Sequence, residues 1–541
     1  MNKNASNNTP PADGLKGFKQ NIYQDSISGF LVFLLALPLS LGIAKASSFP
    51  MLFGLVTAIV GGILVTFFMG SRLSIKGPAA GLIVIASGAV EAFGEGEQGW
   101  HLAAAAIVVA GLLQVLFGYL KAGKLADFFP SAAIHGMLAA IGIIIMAKQL
   151  HMLLGIDPAH LKGKEPLELL AMLPDSVMHE NAHLAEIGIA CLAIMIAMSF
   201  IKHEKIKKIP APLIVLIISI PLGFVLHIKT DGAISNFALV KIGSLRDSFS
   251  GGFFNADFTR IAANVGPFIE YVILFSLIGS LESLLTAKAV DGMDPWKRKT
   301  DYDKDLIGVG VGNIISGLLG GLPMISEVAR SSANVGYGAR TRWSNFFHGI
   351  FLLIAILFAV PIIEMIPNVA LAAMLVFVGF RLAHPKHFIH AWHIGKEQLL
   401  VFATTVIVTI STDLLIGVGT GIVLEMGINF IRGAKVNELF KVKLEQSEQD
   451  DRVTIKVNNC LLFSNILPFK KNFQNLEQGK EVVIDFSDCR IADHTALVMT
   501  YNLTEEYART GGNAKIIGLD AHQAVSKDPT SARIAKPNKT V

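Results

Sequence analysis

Between Gly29 and Phe430 the chain carries one apolar run after another, each about 20 residues long, the length that crosses a hydrocarbon core of about 30 Å. A backbone in that environment must satisfy its own polar groups, and helices do so within a single segment. The runs fall near residues 26–44, 51–70, 77–93, 101–120, 130–150, 184–201, 209–227, 264–289, 305–321, 325–336, 343–361, 367–383, 397–411 and 413–431. Only 16% of the 541 residues are charged and 52% are hydrophobic, which excludes a soluble multidomain enzyme. The expectation is an all-α polytopic membrane protein of about 14 spans.

Basic residues set the orientation. Alternate loops hold Arg72 and Lys76, Lys121 and Lys124, "KHEKIKK" (202–208), "WKRK" (296–299), Arg340 and Arg342, Arg381 and Lys386, and Arg432 and Lys435. The opposite loops hold "EAFGEGE" (91–97) and a mildly acidic segment over 155–180. The positive-inside rule then puts both termini in the cytoplasm. Residues 1–25 are polar and lack the apolar core and cleavage site of a removable signal peptide, so they are expected to be a cytoplasmic N-terminal segment ahead of a transport domain over 26–432.

After Phe430 the composition turns charged and soluble in character, and residues 433–541 read as a linker and a separate domain. "VTIKV", "CLLFSN" and "EVVIDFSDCRIADHTAL" alternate short β-type runs with a helix opening at Asp493, a small α/β unit. Cys191, Cys460 and Cys489 show no CxxC spacing, so neither a disulfide framework nor a zinc site is expected.

The membrane part divides into two sevens, and the third span of each is interrupted: "SIKGPAAGLIVIASGAV" (74–90) by Gly77, Pro78 and Gly81, and "GGLPMISEVARSSA" by Gly320, Gly321 and Pro323. Corresponding Gly/Pro-broken segments in two halves point to a transporter site made by discontinuous helices, and seven spans per half make the repeats inverted. Half-helix N-termini present unpaired N–H groups and the positive end of the helix dipole, so a facing pair can hold an anion.

"LLALPLSLGIA", "KGPAAGL", "LIGSLESLLTAKAVD" (277–291), "KDLIGVGVGNIISGLLGGLP" (304–323) and "ARSSANVGYGART" together resemble the sulfate permease (SulP) anion transporters, and the tail with "VVIDFSDCRIADHTAL" resembles a STAS domain. Within the family the motifs look most like the BicA-type bacterial bicarbonate branch. The resemblance implies a UraA-like seven-plus-seven inverted repeat with half-helices 3 and 10. Spans 1–4 and 8–11 would form a core domain moving against a gate of spans 5–7 and 12–14. It further implies cation-coupled bicarbonate symport, with sodium as the first coupling ion, by elevator-type alternating access in a homodimer of a bacterial inner membrane. A proton-coupled sulfate or dicarboxylate carrier is the alternative. A non-transporting anion receptor signalling through the STAS domain to a soluble regulator is a third reading.

On this resemblance the substrate anion would rest on the amides of Ala79, Ala80, Gly81, Ala329, Arg330 and Ser331. A carboxylate in mid-span is costly, so Glu282 needs a partner or a proton. Glu282, Thr286, Ser326 and Glu327 are the cation-coupling candidates, with sodium at Glu282, Thr286 and Ser326. Ser326-Glu327-Val328 departs from the bicarbonate branch by lacking a hydroxyl and adding a carboxylate, which makes proton coupling a rival. Arg330 either attracts the anion or neutralises Glu327 as an i,i+3 pair.

Asp493 reads as a helix cap, and Thr495 matches the phosphorylated serine of bacterial STAS antagonists; both are regulatory candidates. His384, His387, His390 and His393 read as an amphipathic linker ahead of a metal or pH role. Gly308, Gly310, Gly312, Gly317, Gly320 and Gly321 lie in an apolar span and read as close-packing positions rather than a nucleotide loop. No catalytic constellation and no cofactor is expected; the partners are a small inorganic anion, sodium or a proton, and lipid, with no nucleic acid.

Overall fold

A computed structural model describes residues 10–536 except 95, 128, 162–163, 202, 204–205, 207–208, 229–234, 244–253, 413, 450, 478 and 510. Much of the basic 202–208 loop therefore lies outside the described residues. The chain divides into two compact units, Met1–Gly123 with Ile141–Arg381, and Lys124–Ala140 with Leu382–Val541.

The first unit is built from α1 (Gly14–Ala46), α2 (Met51–Ile59), β1 (Lys76–Pro78), α3 (Ile83–Ala92), α4 (Gly96–Tyr119), α5 (Ser131–Leu153, shared by both units), α6 (Pro166–Met178), α7 (Ala182–Phe200), α8 (Ala211–Val225), α9 (Val265–Met293), α10 (Tyr302–Leu318), β2 (Met324–Ser326), α11 (Val328–Gly336), α12 (Trp343–Phe358) and α13 (Asn368–Leu382). The second adds α14 (Pro385–Ile394), α15 (Lys396–Ser411), α16 (Leu414–Ile431) and a C-terminal α/β region. Among the described residues seven helices are individually long and apolar enough to cross a membrane, and shorter apolar helices include Ala80–Ala92 and Trp343–Phe358. Each of the expected spans coincides with a helix or a broken helix. Large apolar side chains such as Leu112, Leu116, Ile189, Ile196, Ile217, Phe224, Leu357 and Ile407 are exposed, as lipid-facing helices require.

Three local expectations change. α1 starts at Gly14, where Asp13 caps it by accepting the Gly14 N–H at 2.9 Å, so the helix runs twelve residues ahead of the expected span. The acidic 155–180 loop contains α6, whose Pro166 occupies the first helical turn, where a missing N–H costs nothing. Lys76, expected in a cytoplasmic loop, is fully buried in β1. The histidine segment forms α14, and His384 caps it by accepting the Lys386 N–H at 3.1 Å.

Helices α4 and α10 pack backbone to backbone. A Cβ on Gly310 would lie 2.7 Å from the Gly111 carbonyl oxygen, and one on Gly111 would lie 2.7 Å from that of Gly310. Gly317 meets the Ala104 carbonyl in the same way at 2.8 Å. Small residues let apolar helices approach where hydrophobic burial offers no drive, as expected for this glycine-rich span.

In the C-terminal region β3 (Leu444–Gln449) pairs antiparallel with β4 (Arg452–Val457), which lies parallel to β6 (Glu481–Asp485), itself parallel to β8 (Asn513–Ile517). A second sheet runs β5 (Cys460–Leu461), β7 (Ile491–Ala492), β10 (Arg533–Ala535) and β9 (His522–Ala524). Helices α17 (Ile466–Gln474) and α18 (His494–Arg509) cover a core of Val453, Ile455, Phe469, Phe473, Ile484 and Leu497. The expected α/β pattern holds.

Gly310→Ala forces a methyl against a backbone oxygen that cannot move alone, an overpacking cost of about 1–3 kcal/mol. Thermal unfolding of the purified protein in detergent should show a lowered midpoint, whereas Gly419→Ala, with open space around its Cβ, should leave it unchanged.

Candidate functional site

The site is organised by the two broken segments. β1 and β2 pair antiparallel, Lys76 opposite Ser326, Gly77 opposite Ile325 and Pro78 opposite Met324. Extended backbone in an apolar interior has no helical partners, so polar side chains supply them. The Met324 N–H donates to Asn313 Oδ1 at 2.6 Å, and Asn313 Nδ2 donates to the Met324 carbonyl at 3.0 Å and to Gln114 Oε1 at 2.7 Å. The Leu322 N–H donates to Thr57 Oγ1 at 2.8 Å, the Lys76 N–H to Asn345 Oδ1 at 3.0 Å, and the Ile75 N–H to Ser331 Oγ at 2.9 Å.

From this ribbon α3 and α11 begin. The turn leading into α3 follows Ala79 with no side-chain cap, and the Leu82 N–H closes onto the Ala79 carbonyl at 3.3 Å. α11 starts differently: Glu327 is its N-cap, and its Oε2 accepts the Arg330 N–H at 2.7 Å. The Ser331 N–H closes onto the Glu327 carbonyl at 3.0 Å. Two of the six amides expected to face a ligand, those of Arg330 and Ser331, are thus engaged within α11, while Ala79, Ala80 and Gly81 lead an uncapped turn.

The Arg330 side chain is fully buried, and Nε, Nη1 and Nη2 have no hydrogen-bond partner among the described residues. Its Nε lies 3.9 Å from Glu327 Oε2, beyond hydrogen-bonding reach, so the two form a loose ion pair. Gly77 makes room for it, since a Cβ there would fall 2.5 Å from Nη1. His348, also fully buried with neither ring nitrogen hydrogen-bonded among the described residues, lies within electrostatic range of the guanidinium.

Glu282 projects from α9 against the start of α3. A Cβ on Gly81 would lie 2.1 Å from its Oε1, and that oxygen has no hydrogen-bond partner among the described residues. Thr286 is buried one turn further along α9.

Ser326 is engaged by other side chains. Its Oγ accepts from Lys76 Nζ at 2.5 Å and lies 3.1 Å from Ser283 Oγ. Lys76 Nζ also donates to Asp305 Oδ2 at 2.6 Å, and Asp305 Oδ1 accepts the Ser71 N–H at 3.0 Å. Both charges are at most 1% exposed. A buried pair of this kind offsets its desolvation only when further hydrogen bonds complete it, and removing one partner costs about 3–5 kcal/mol. Sequence reading missed Lys76, Asp305, Ser283, Asn345 and His348. The available signal was a lysine one residue before the Gly-Pro break and an aspartate inside the first turns of an apolar helix.

In the second unit Asp493 is fully buried, accepting the Ala496 N–H at 2.8 Å, the Phe463 N–H at 2.7 Å and Asn429 Nδ2 at 3.4 Å. It caps α18 as expected. Thr495 is also buried, and its Oγ1 accepts the Ser131 N–H at 3.1 Å. A modifying enzyme would have to separate these two residues first, so this regulatory candidate is covered in this conformation.

Burial pushes the Asp493 carboxyl up to about 6, against the two backbone N–H groups and Asn429, which favour its charge. The folded chain therefore binds this proton more tightly than the unfolded chain does, and the stability this gives is complete below about pH 4 and lost as pH rises to about 6. In thermal unfolding, the wild-type midpoint minus that of Asp493→Asn should fall across this window and stay flat above it.

The sulfate permease family profile matches residues 22–405, well over half of the chain. YvdB of Bacillus subtilis, whose name provisionally assigns it to sulfate transport, is 25% identical over 94% of this chain and 93% of its own length. The bicarbonate transporter BicA of Picosynechococcus is 26% identical over 81% of this chain and 75% of its own length. The solved transmembrane domain of a cyanobacterial BicA superposes with a TM-score of 0.63 at 23% identity, covering 74% of this chain and 97% of that one. SLC26A9 superposes at 0.66 and 13% identity over 93% and 85% of the two chains. The helical membrane fold is shared with both structures, and in this chain a C-terminal mixed α/β region follows it. With its broken third and tenth apolar segments and a family match spanning most of its length, the chain belongs to the sulfate permease family: it is a multi-pass membrane anion transporter and not an enzyme.

Proposed function

We propose that the chain is a secondary active transporter of a small inorganic oxyanion, bicarbonate first, moved together with a cation by elevator-type alternating access. The observation that carries this reading is Arg330. A guanidinium buried to 0% exposure, with three nitrogens lacking hydrogen-bond partners among the described residues, sits at the start of α11 against Gly77 of the other broken segment. Buried charges that are not fully hydrogen-bonded are costly and mark functional positions. The uncapped turn at Ala79, Ala80 and Gly81 adds N–H donors, and Ala329 adds one from the other half, so the anion would rest between Arg330 and these amides. Arg330 keeps its N–H donors for the anion, because Glu327 Oε2 lies too far from Nε for a hydrogen bond even though the two charges offset each other.

Charge counting supports cation coupling. Lys76 and Asp305 cancel, Arg330 and Glu327 oppose one another, and Glu282 is left over. An anion entering beside it adds negative charge to a low-dielectric site, which is relieved if Glu282 takes up a cation at the same time. A proton suits Glu282 better than sodium does, since Ser326, the third oxygen of the expected sodium set, already accepts from Lys76. Sulfate is the second substrate reading, favoured by the similarity to YvdB. We place the protein in a bacterial inner membrane, both termini cytoplasmic, as a homodimer whose C-terminal STAS-like region docks regulators.

Uptake of labelled bicarbonate and of labelled sulfate into proteoliposomes, under an inward proton or sodium gradient, tests the reading. Arg330→Met should cut uptake of the transported anion at least tenfold. Glu282→Gln should abolish gradient-driven accumulation while downhill flux continues. Gly81→Ala, which drives a methyl into the Glu282 carboxylate, should lower uptake by a similar factor. Anion binding in detergent without flux of either anion would favour a receptor and defeat the proposal.

A further inference from the structure

Lys76 is one of the two largest fully buried side chains among the described residues, and the transport reading gives it no role beyond cancelling Asp305. Its ammonium is held by three segments that are distant in sequence. It departs from β1, which leads into α3; it donates to Ser326 on β2, which leads into α11; and it pairs with Asp305 on α10. Ser283 on α9 completes the cluster through Ser326, donating its hydroxyl to Ser326 Oγ at 3.1 Å and accepting the Ser326 N–H at 3.1 Å. The surroundings are thus one carboxylate and two hydroxyls, all buried: an oxygen-rich, anionic pocket of the kind that takes a hard monovalent cation.

We propose that the Lys76 ammonium is a covalently tethered cation that occupies this pocket in place of an exchangeable sodium ion, so that anion uptake by this chain does not require sodium. The inference rests on the reading of α3 and α11 as the anion site and adds to it which cation organises that site. Three features of the geometry support it. Nζ engages the very oxygens, Asp305 Oδ2 and Ser326 Oγ, that a metal ion would need. Its charge cancels that of Asp305, leaving no net attraction for a second cation there. And because the lysine belongs to the chain, it cannot be carried across with the anion.

The test uses full-length protein and two readouts. In the first, wild-type proteoliposomes take up labelled bicarbonate and sulfate in sodium medium and in choline medium of equal ionic strength. Equal rates are expected; a severalfold acceleration by sodium would overturn the proposal, and the absence of any uptake in both media would sink the transport reading alone. The second readout is thermal unfolding in detergent with sodium or choline chloride, which needs no transport. The wild-type midpoint should not distinguish the two salts. Lys76→Met, which leaves Asp305, Ser283 and Ser326 without their cation, should unfold earlier and be restored selectively by sodium. Lys76→Met/Asp305→Asn, which removes both charges, should fold and lose the sodium response. A wild-type midpoint raised by sodium, or a Lys76→Met protein as indifferent to sodium as the double variant, would overturn the proposal.

Discussion

A backbone that leaves its helix inside an apolar slab must find new hydrogen-bond partners or unfold, and the rest of this molecule is arranged around that requirement. β1 and β2 meet it in part by pairing with each other. The remainder comes from side chains on surrounding helices: Thr57 on α2, Asn313 on α10, Ser331 on α11 and Asn345 on α12 each bond a backbone group of the broken segments. Each of these residues is buried, and Asn313, Thr57 and Asn345 each serve more than one partner. The positions of the two half-helix starts therefore follow from a hydrogen-bond network rather than from apolar packing, which has little directional preference.

The two buried cations of the site answer to opposite physical demands. Lys76 and Arg330 are equally hidden from solvent, yet the ammonium has a carboxylate and a hydroxyl within 2.6 Å while the guanidinium has only a carboxylate at 3.9 Å. A lysine presents a compact charge that a single oxygen cage can satisfy, whereas five N–H donors in a planar fork demand several acceptors in one plane. The first arrangement is complete in the protein alone. The second is open to an oxyanion, whose oxygens match the fork.

Those differences explain what could be read from sequence. The apolar runs and the Gly/Pro interruptions are local patterns, and they located the helices and the two broken segments. The partnerships are not local. Lys76 and Asp305 are 229 residues apart, and Lys76 and Asn345 are 269. A lysine at the edge of an apolar run looks like a loop cation to any rule that counts charge near span ends, so it entered the topology argument with the wrong role. The cap of α11 was hidden for a similar reason. Glu327 and Arg330 suggest a side-chain ion pair by spacing, but the stronger contact is from the carboxylate to the Arg330 backbone N–H, which depends on Glu327 being extended. α6 was missed because the acidic 155–180 segment reads whole as a loop, although Pro166 within it is comfortable at a helix start.

The stretch Lys76-Gly77-Pro78-Ala79-Ala80-Gly81 shows how these demands share a few residues. Lys76 sends its charge to Asp305, and Gly77, next in the chain, must lack a side chain because Arg330 Nη1 would otherwise lie 2.5 Å from it. Pro78 has no N–H to leave unpaired at the end of the ribbon. Ala79 takes the extended backbone that turns the chain into α3, and Gly81 leaves the space that Glu282 enters. Both functional charges of the proposed site, Arg330 and Glu282, thus lean on glycines of this one segment, and the segment is itself fixed by its own lysine. Loss of the Lys76 contact would therefore loosen β1, and with it the walls against which Arg330 and Glu282 are held, so a charge that never touches the anion would still affect the geometry of both residues proposed to act there.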